Sequence, residues 1–276
     1  MSKMVSRAAK AMVLVLSCGL LSCGMVGGGA LGRVACPALG PNVSALDAGF
    51  DANATVNAKV QTFVQAAKDL DAVSAQIEMK AAQACQRMGM DLGLSPAQMQ
   101  PRQGPGGAAA GACEPLALRI DAILRQGIRI TATVQPPRCQ ANAQAQAHCA
   151  GRCDVNRDAE CRASCEAHAE VHASCQPAVV QVQASQGAQQ AAALVATMQA
   201  NLPQLIEAQI TLGQRLIHHA QVVAQVGAKL PKIVGRAGAQ ALACIGAAAD
   251  IAASASIRIN VSVKASASVS GRAGAR

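Results

Sequence analysis

The chain has 276 residues, with 24 Lys and Arg against 15 Asp and Glu, which gives a formal net charge of +9 at pH 7. The basic residues are scattered and form no long run, so the sequence indicates neither a nucleic-acid face nor a polybasic membrane patch. Trp and Tyr are absent and Phe occurs only twice, so the aromatic platforms on which bases and sugars stack are missing. We therefore expect no nucleic-acid partner.

The amino-terminal residues have the pattern of a secretory signal peptide. Residues 1–10 contain three basic side chains and no acidic one, and residues 11–22 form an uncharged apolar run. That run is shorter than the about 20 residues that a membrane-spanning helix needs. We therefore predict that residues 1–22 are a signal peptide.

The end of this run, Leu20-Leu21-Ser22-Cys23, resembles the lipobox of bacterial lipoproteins, which has a Leu three residues before the Cys and a small residue directly before it. The resemblance implies that Cys23 becomes the first residue of the mature protein and carries acyl chains such as palmitate. Each methylene of those chains that enters the bilayer contributes about 0.8 kcal/mol, so several chains anchor the protein. In this family an Asp after the Cys retains the protein at the inner membrane, so Gly24 implies the outer membrane. The alternatives are a weaker lipobox ending at Cys18 and a plain signal peptide with an incidental Cys.

Ten cysteines follow Cys23, and an even number in an exported protein indicates disulfides. Six of them are arranged symmetrically about residue 157, which predicts one nested set of pairs in a chain that folds back at residues 156–158. The predicted disulfide pairs are Cys139 with Cys175, Cys149 with Cys165, and Cys153 with Cys161. Sequence alone leaves the pairing of Cys36, Cys85, Cys113 and Cys244 open.

The inner cysteines have C-x3-C spacing in Ala- and Glu-rich surroundings, which favours a helical hairpin with two internal disulfides. The even spacings also suit a β-hairpin, and the ten-residue step to Cys139 fits a helical face poorly. His148, His168 and His172 lie among these cysteines, so a metal site is an alternative. Structural zinc sites usually use C-x2-C spacing, and exported thiols are oxidised, so we expect no metal and surface-exposed His side chains.

The segments before the hairpin are a lipidated Cys with a flexible Gly/Pro linker (residues 23–43) and a helical segment with a Gly/Pro loop (residues 44–127). A long helix is predicted over about 54–90, because its small and apolar side chains recur every three or four residues, as in a coiled coil or bundle. A loop over 91–112 and a short helix from Glu114 to about Gln126 follow. The residues of the predicted apolar seam are Val56, Val60, Phe63, Ala67, Leu70, Ser74, Ile77, Ala81, Ala84 and Met88.

Residues 128–134 and 180–184 alternate apolar and polar side chains, which predicts two half-buried strands. Both stretches are symmetric about residue 157, so residues 128–186 are predicted to be one β-hairpin with a Cys-rich tip. Residues 187–255 are predicted to be long helices that Pro203 and Pro231 kink or divide. Residues 256–276 are predicted to be a C-terminal strand and tail, because Ile and Val alternate with Ser, and to pair with 128–135.

The predicted fold is therefore mainly α: long antiparallel helices in a bundle, a small antiparallel β-sheet and a disulfide-bonded hairpin. No nucleophile elbow, HExxH motif or paired-carboxylate motif is present, so we expect no catalytic residues and no cofactor. Composition also resembles Cys-hairpin, Ala- and Ser-rich lipoproteins of myxobacteria, a likeness that implies no functional residues. These patterns favour a lipid-anchored scaffold at the outer membrane that binds an envelope protein, partly through a protruding hairpin. The alternatives are a carrier of a metal or apolar ligand, which would use Met79, Met88, Met90 and Met99, and an envelope enzyme.

Overall fold

The computed structural model of the chain describes residues 36–153, 158–176, 178–185, 189–207, 209, 214–233, 238–272 and 274. The predicted signal peptide, Cys23 and the tip of the hairpin at residues 154–157 lie outside these described residues. The protein is mainly α, as predicted. Its helices are α1 (Ala54–Asp91), α2 (Gly107–Leu124), α3 (Ala143–Ala150), α4 (Ala159–Val171), α5 (Gln189–Ile206), α6 (Gln214–Ile233) and α7 (Ala239–Arg272), and its strands are β1 (Arg129–Gln135), β2 (Arg138–Gln140), β3 (Ser174–Gln176) and β4 (Val179–Ser185).

Helix α1 begins at a side-chain cap and follows the predicted seam. The Oδ1 atom of Asn53 accepts hydrogen bonds from the backbone N–H groups of Thr55 and Val56, which otherwise lack partners at a helix start. All ten seam residues lie on the side of α1 that meets the core: the nine from Val60 to Met88 are buried, and Val56 is half-buried. Small residues at this seam let other helices approach α1 closely.

The C-terminal segment is a helix, and the predicted strand over 256–276 is wrong. Helix α7 continues to Arg272, and its buried residues recur every three or four positions. The alternation that suggested a strand places Ile257 in solvent and Ile259 in the core, while Ser262 and Ser266 occupy buried positions. Ser is small enough for a close helix contact, so the polar residues of the apparent strand pattern fit the core of a helix. The buried residues of α7 are Ala241, Cys244, Ile245, Ala248, Ala252, Ala255, Ile259, Ser262, Ala265, Ser266, Val269 and Ser270.

Helix α7 packs beside α1 and points in the same direction. Phe63 and Ala249 flank the same glycine of α6, and farther along both helices Glu78 pairs with Arg258, with 3.2 Å between Oε2 and Nε. Among the described residues, α7 is the one helix that is long and apolar enough to cross a membrane by length and composition. In this structure it contacts α1, α2 and α6.

The predicted antiparallel arrangement is found between α1 and α5, where Asp91 accepts a hydrogen bond from Thr197 and Arg87 donates one to Asn201. Helix α2, by contrast, runs in the same direction as α1. This is possible because the connecting residues 92–106 return along α1 before α2 begins. Helix α2 starts at Gly107, earlier than the predicted Glu114, because the small residues at its start pack against the returning chain.

Part of the predicted flexible linker is packed against the helices, since Cys36, Ala38 and Leu39 are buried. Cys36 is fully buried and forms a disulfide with Cys244 in the first turns of α7. A short 3-10 helix, Pro37–Leu39, follows, and the Val43 carbonyl accepts a hydrogen bond from Lys68. A second disulfide, Cys85–Cys113, joins α1 to α2. These two bonds settle the four cysteines whose pairing the sequence left open.

The β-hairpin has the predicted strands and register. Strand β1 pairs antiparallel with β4 rather than with the C-terminal segment, and Ala132 lies opposite Val182. Both of these side chains are buried in the core that α5 also lines. The Gln199 side chain of α5 donates a hydrogen bond to the Val182 carbonyl at 3.1 Å, which holds the sheet against the helix.

One glycine allows three helices to meet. A Cβ atom at Gly227 in α6 would lie 2.5 Å from Phe63 Cζ in α1 and 2.8 Å from Ala249 Cβ in α7. Phe63 is fully buried. We expect Gly227→Ala to lower the free energy of unfolding by about 1–3 kcal/mol through overpacking, as measured by chemical denaturation. The control is Gly246→Ala in α7, where the added methyl meets nothing within 4 Å; it should raise stability by about 0.5–1 kcal/mol. Equal effects of the two substitutions would contradict the close contact.

Candidate functional site at the cysteine hairpin

The hairpin is cross-linked in the nested order that the sequence predicts. The Cα atoms of the paired cysteines are 4.0, 5.5 and 6.5 Å apart in Cys139–Cys175, Cys149–Cys165 and Cys153–Cys161. Cys149–Cys165 joins α3 to α4, and Cys153, three residues beyond the end of α3, is bonded to Cys161 in α4. Cys139 and Cys175 face each other across β2 and β3. The outer pair therefore lies outside the helices. This explains why the ten-residue step from Cys139 to Cys149 fits a helical face poorly.

Both hairpin helices begin at side-chain caps. At the start of α3, Oδ1 of Asn142 accepts hydrogen bonds from the backbone N–H groups of Gln144 and Ala145. Asp158 accepts the N–H of Cys161 at 3.2 Å at the start of α4. The Asn142 N–H in turn donates to the Ala169 carbonyl, so the first turn of α3 is tied to the last turn of α4. Caps of this kind stabilise helices that are too short to be stable alone.

The hairpin does not protrude, because α4 packs on α1 and α6. Ala167 of α4 is fully buried in the core of the bundle. Lys59 of α1 forms an ion pair with Asp158, with 2.9 Å between Nζ and Oδ2. Arg152 donates a hydrogen bond to the Leu46 carbonyl at 2.7 Å. The expectation of a protruding hairpin is thus wrong, because these polar contacts and the small face of α4 hold it against the body.

The surroundings of Asp158 favour its charged form. Burial alone would raise the pKa of this carboxyl group, but the hydrogen bond and positive charge of Lys59 and the Cys161 N–H act in the opposite direction. The net result is that the pKa of Asp158 is lowered from its ordinary value. Asp158 is therefore ionised at neutral pH and serves both as helix cap and as partner of Lys59.

A cluster of an acid and two imidazoles lies where α4 meets α1. His168 Nδ1 is 2.5 Å from Oδ2 of Asp69, and His172 Nε2 is 3.8 Å from the same oxygen. The two imidazole rings meet edge to face with centroids 4.7 Å apart. The side chains of Asp69 and His168 are 12% and 13% exposed to solvent, whereas that of His172 is 47% exposed. The Nε2 atom of Gln65 donates to the other Asp69 oxygen at 2.8 Å.

The histidines predicted to lie on the surface therefore differ. His148 on α3 is exposed, as expected, and His172 is partly so, but His168 is mostly buried against Asp69. Asp69 was not among the predicted site residues, since it lies 99 residues from His168 and beside a seam position of α1. The i,i+4 spacing of the histidines was the one sequence feature that pointed to this place.

The other candidate ligand groups are separated or already bonded. Three sulfur atoms, of Cys153, Cys161 and Cys165, lie close together, but each belongs to a disulfide and offers no thiolate. The four methionines considered for an apolar groove divide between core and surface. Met88 and Met99 are buried, whereas Met79 and Met90 are about half exposed. They do not line one common groove.

A small open cleft lies at the neck of the hairpin, where β2 and β3 meet. Its volume is about 320 Å³ and its lining is mainly polar. The lining residues are Arg138, Gln140, Ser174, Cys175 and Gln176. The cleft therefore exposes one face of the outer disulfide together with a cationic side chain.

Removing the innermost disulfide should loosen only the tip of the hairpin. We expect the double substitution Cys153→Ser, Cys161→Ser to cost about 2 kcal/mol of local stability and to speed amide hydrogen exchange in α3 and α4. Exchange in β1 and β4 should stay unchanged, because Cys139–Cys175 still closes the neck. The matched control removes Cys85–Cys113 instead, which should speed exchange in α2 and leave the hairpin protected. Uniform acceleration in both variants would contradict this local effect.

The ion pair at the start of α4 predicts a pH-dependent contribution to stability. Because the pKa of Asp158 is lowered in the folded protein, its stabilising effect is fully present above the ordinary Asp pKa of 3.8 and is lost as pH falls through the lowered value. Asp158→Asn keeps a capping oxygen but removes the charge, so it should cost about 1–2 kcal/mol at pH 7. Denaturant unfolding across pH should show this difference shrinking below pH 3.8. A difference that is the same at all pH values would exclude the ion pair as its source.

Comparison with known proteins adds no relative to this description. No protein-family model, no curated protein and no solved structure matches the chain.

Proposed function

We propose that this protein is an exported lipoprotein, anchored to the outer membrane through Cys23, whose helical body acts as a structural or protein-interaction scaffold for another envelope protein. The pairing of all ten described cysteines in five disulfides carries the proposal. Disulfides of this number persist in oxidising compartments and are rare in the reducing cytosol. The signal-like residues 1–22 supply a route to such a compartment.

The shape of the body supports a scaffold role. Helices α1 and α7 contain 38 and 34 residues, which correspond to lengths of about 57 and 51 Å. They lie side by side and are braced by disulfides to the segments around them. A long body of this kind holds a bound partner at a fixed distance from the lipid.

Lipid anchoring is tested by substitution of the two cysteines in the amino-terminal segment. In the native host, mass spectrometry should find the mature amino terminus at an acylated Cys23, and the protein should sediment with outer membranes. Cys23→Ser should abolish acylation and release the protein, since the acyl chains supply the membrane affinity. Cys18→Ser is the matched control and should change neither property. An intact Met1 or an unacylated Cys23 in wild-type protein would refute the anchor.

The scaffold role is tested by crosslinking in intact cells followed by purification. We expect one envelope protein to be recovered in a fixed ratio to the wild-type chain, from the membrane fraction. With Cys23→Ser the same partner should be recovered from the soluble fraction, because the binding surface is retained and the lipid is lost. Absence of any partner in a fixed ratio would contradict the scaffold proposal and leave the anchor result unaffected.

A further inference from the structure

We propose that Asp69, His168 and His172 form a binding site for one divalent metal ion of the Zn²⁺ class. The inference goes beyond the scaffold function and does not depend on it. Its basis is that three potential ligand atoms, one carboxylate oxygen and two imidazole nitrogens, all lie within 4.8 Å of one another. Neutral imidazole and carboxylate are ligands that zinc and neighbouring first-row metals accept.

The distances are close to those of a metal site. Zinc–ligand bonds of about 2.0–2.2 Å in a tetrahedron place neighbouring ligand atoms about 3.3 Å apart. The Asp69 oxygen is 2.5 Å from His168 Nδ1 and 3.8 Å from His172 Nε2. These two separations therefore have to change by less than about 1 Å to match that geometry. His172 is 47% exposed, which gives its ring space to rotate.

The backbone presents both imidazoles on the same side. His168 lies in the last turn of α4 and His172 directly follows that helix, so the four-residue spacing places both on one face. The same i,i+4 pair on a helix holds zinc in the HExxH motif. That motif places a Glu directly after the first His, where this chain has Ala169. The arrangement therefore supports metal binding without the general base of those peptidases.

The groups around the cluster orient its carboxylate. Gln65 donates to Oδ1 of Asp69, so Oδ2 is the oxygen turned toward the two imidazoles. Such hydrogen bonds from neighbouring side chains fix ligands in metal sites. The nearby cysteine sulfurs do not compete for the ion while the hairpin is oxidised, because all of them are in disulfides. The partial exposure of His172 leaves a path for the ion and a position for water as a fourth ligand.

The site would bridge two parts of the fold. Asp69 belongs to α1 of the bundle and both histidines belong to the hairpin. An ion bound there stabilises the docked hairpin, since a ligand that binds only the folded state shifts the unfolding equilibrium. Metal binding should therefore raise the melting temperature and slow amide hydrogen exchange in α4.

The test uses tag-free, oxidised protein, with a thiol assay to confirm that no cysteine is free. Titration calorimetry with Zn²⁺ should give one ion per chain. Bound Co²⁺ should give a visible absorption band that indicates a low coordination number of the ion. His172→Ala is the decisive variant, because it removes a ligand and leaves the His168–Asp69 hydrogen bond in place. Loss of a residue that only supports a metal ligand weakens metal binding by about 10–100-fold. We expect loss of the ligand His172 to weaken Zn²⁺ binding by at least as much. Asp69→Asn should weaken binding similarly.

His148→Ala is the matched control, since this histidine lies in the same hairpin and is exposed. This variant should bind Zn²⁺ with wild-type affinity. The thiol assay should detect no free cysteine in any variant that binds Zn²⁺. The proposal is overturned if the oxidised wild-type protein takes up no Zn²⁺ at sub-millimolar concentration. It is also overturned if His172→Ala binds with wild-type affinity, because the imidazoles would then have only a hydrogen-bonding role.

Discussion

Close approach of helices through small side chains is the constraint on which this structure depends. At the contact of α1, α6 and α7, Gly227 leaves only enough space for the ring of Phe63 and the methyl group of Ala249. Each Ala or Ser at such a contact buries little apolar area, so each contributes little hydrophobic stabilisation. Cross-links offset this shortage at about 2–4 kcal/mol per disulfide. The positions of Cys36–Cys244 and Cys85–Cys113 fit that role, because each joins a long core helix to a neighbouring segment.

One pairing register, centred on residue 157, extends through both the strands and the helices of the hairpin. The pairs from Arg129 with Ser185 in the sheet to Cys139 with Cys175 in the neck have the same midpoint as the two inner disulfides of the helical part of the hairpin. Each pair limits where the next can form, so the register continues from strands into helices. The docking contacts of Asp158 and His168 then attach the hairpin to α1. These contacts add to the polar contacts between helices of the bundle, such as Glu78 with Arg258.

The sequence predicted those features that depend on local pattern. The seam of α1, the strands of the hairpin and the nested cysteine pairs all follow from regular spacing within one segment. The strand prediction for 256–276 failed because Ser262 and Ser266 are equally acceptable as solvent-facing strand residues and as small residues in a helix contact. The partners Lys59 and Asp69 could not be predicted, since they meet the hairpin across about a hundred residues of chain. Long-range pairs of single charged residues leave no periodic trace.

The bond between Cys36 and Cys244 has a mechanical consequence for an anchored protein. Cys36 follows the proposed lipid attachment at Cys23 by thirteen positions, so this tether can span at most about 45 Å. Tension on this tether would reach the body at a covalent junction with the first turns of α7. The force would then be distributed over a core helix and its neighbours. Without the disulfide, the same force would first pull the packed amino-terminal segment away from α1. If the protein is anchored through Cys23 as proposed, this disulfide would help the fold to withstand pulling at its amino-terminal end.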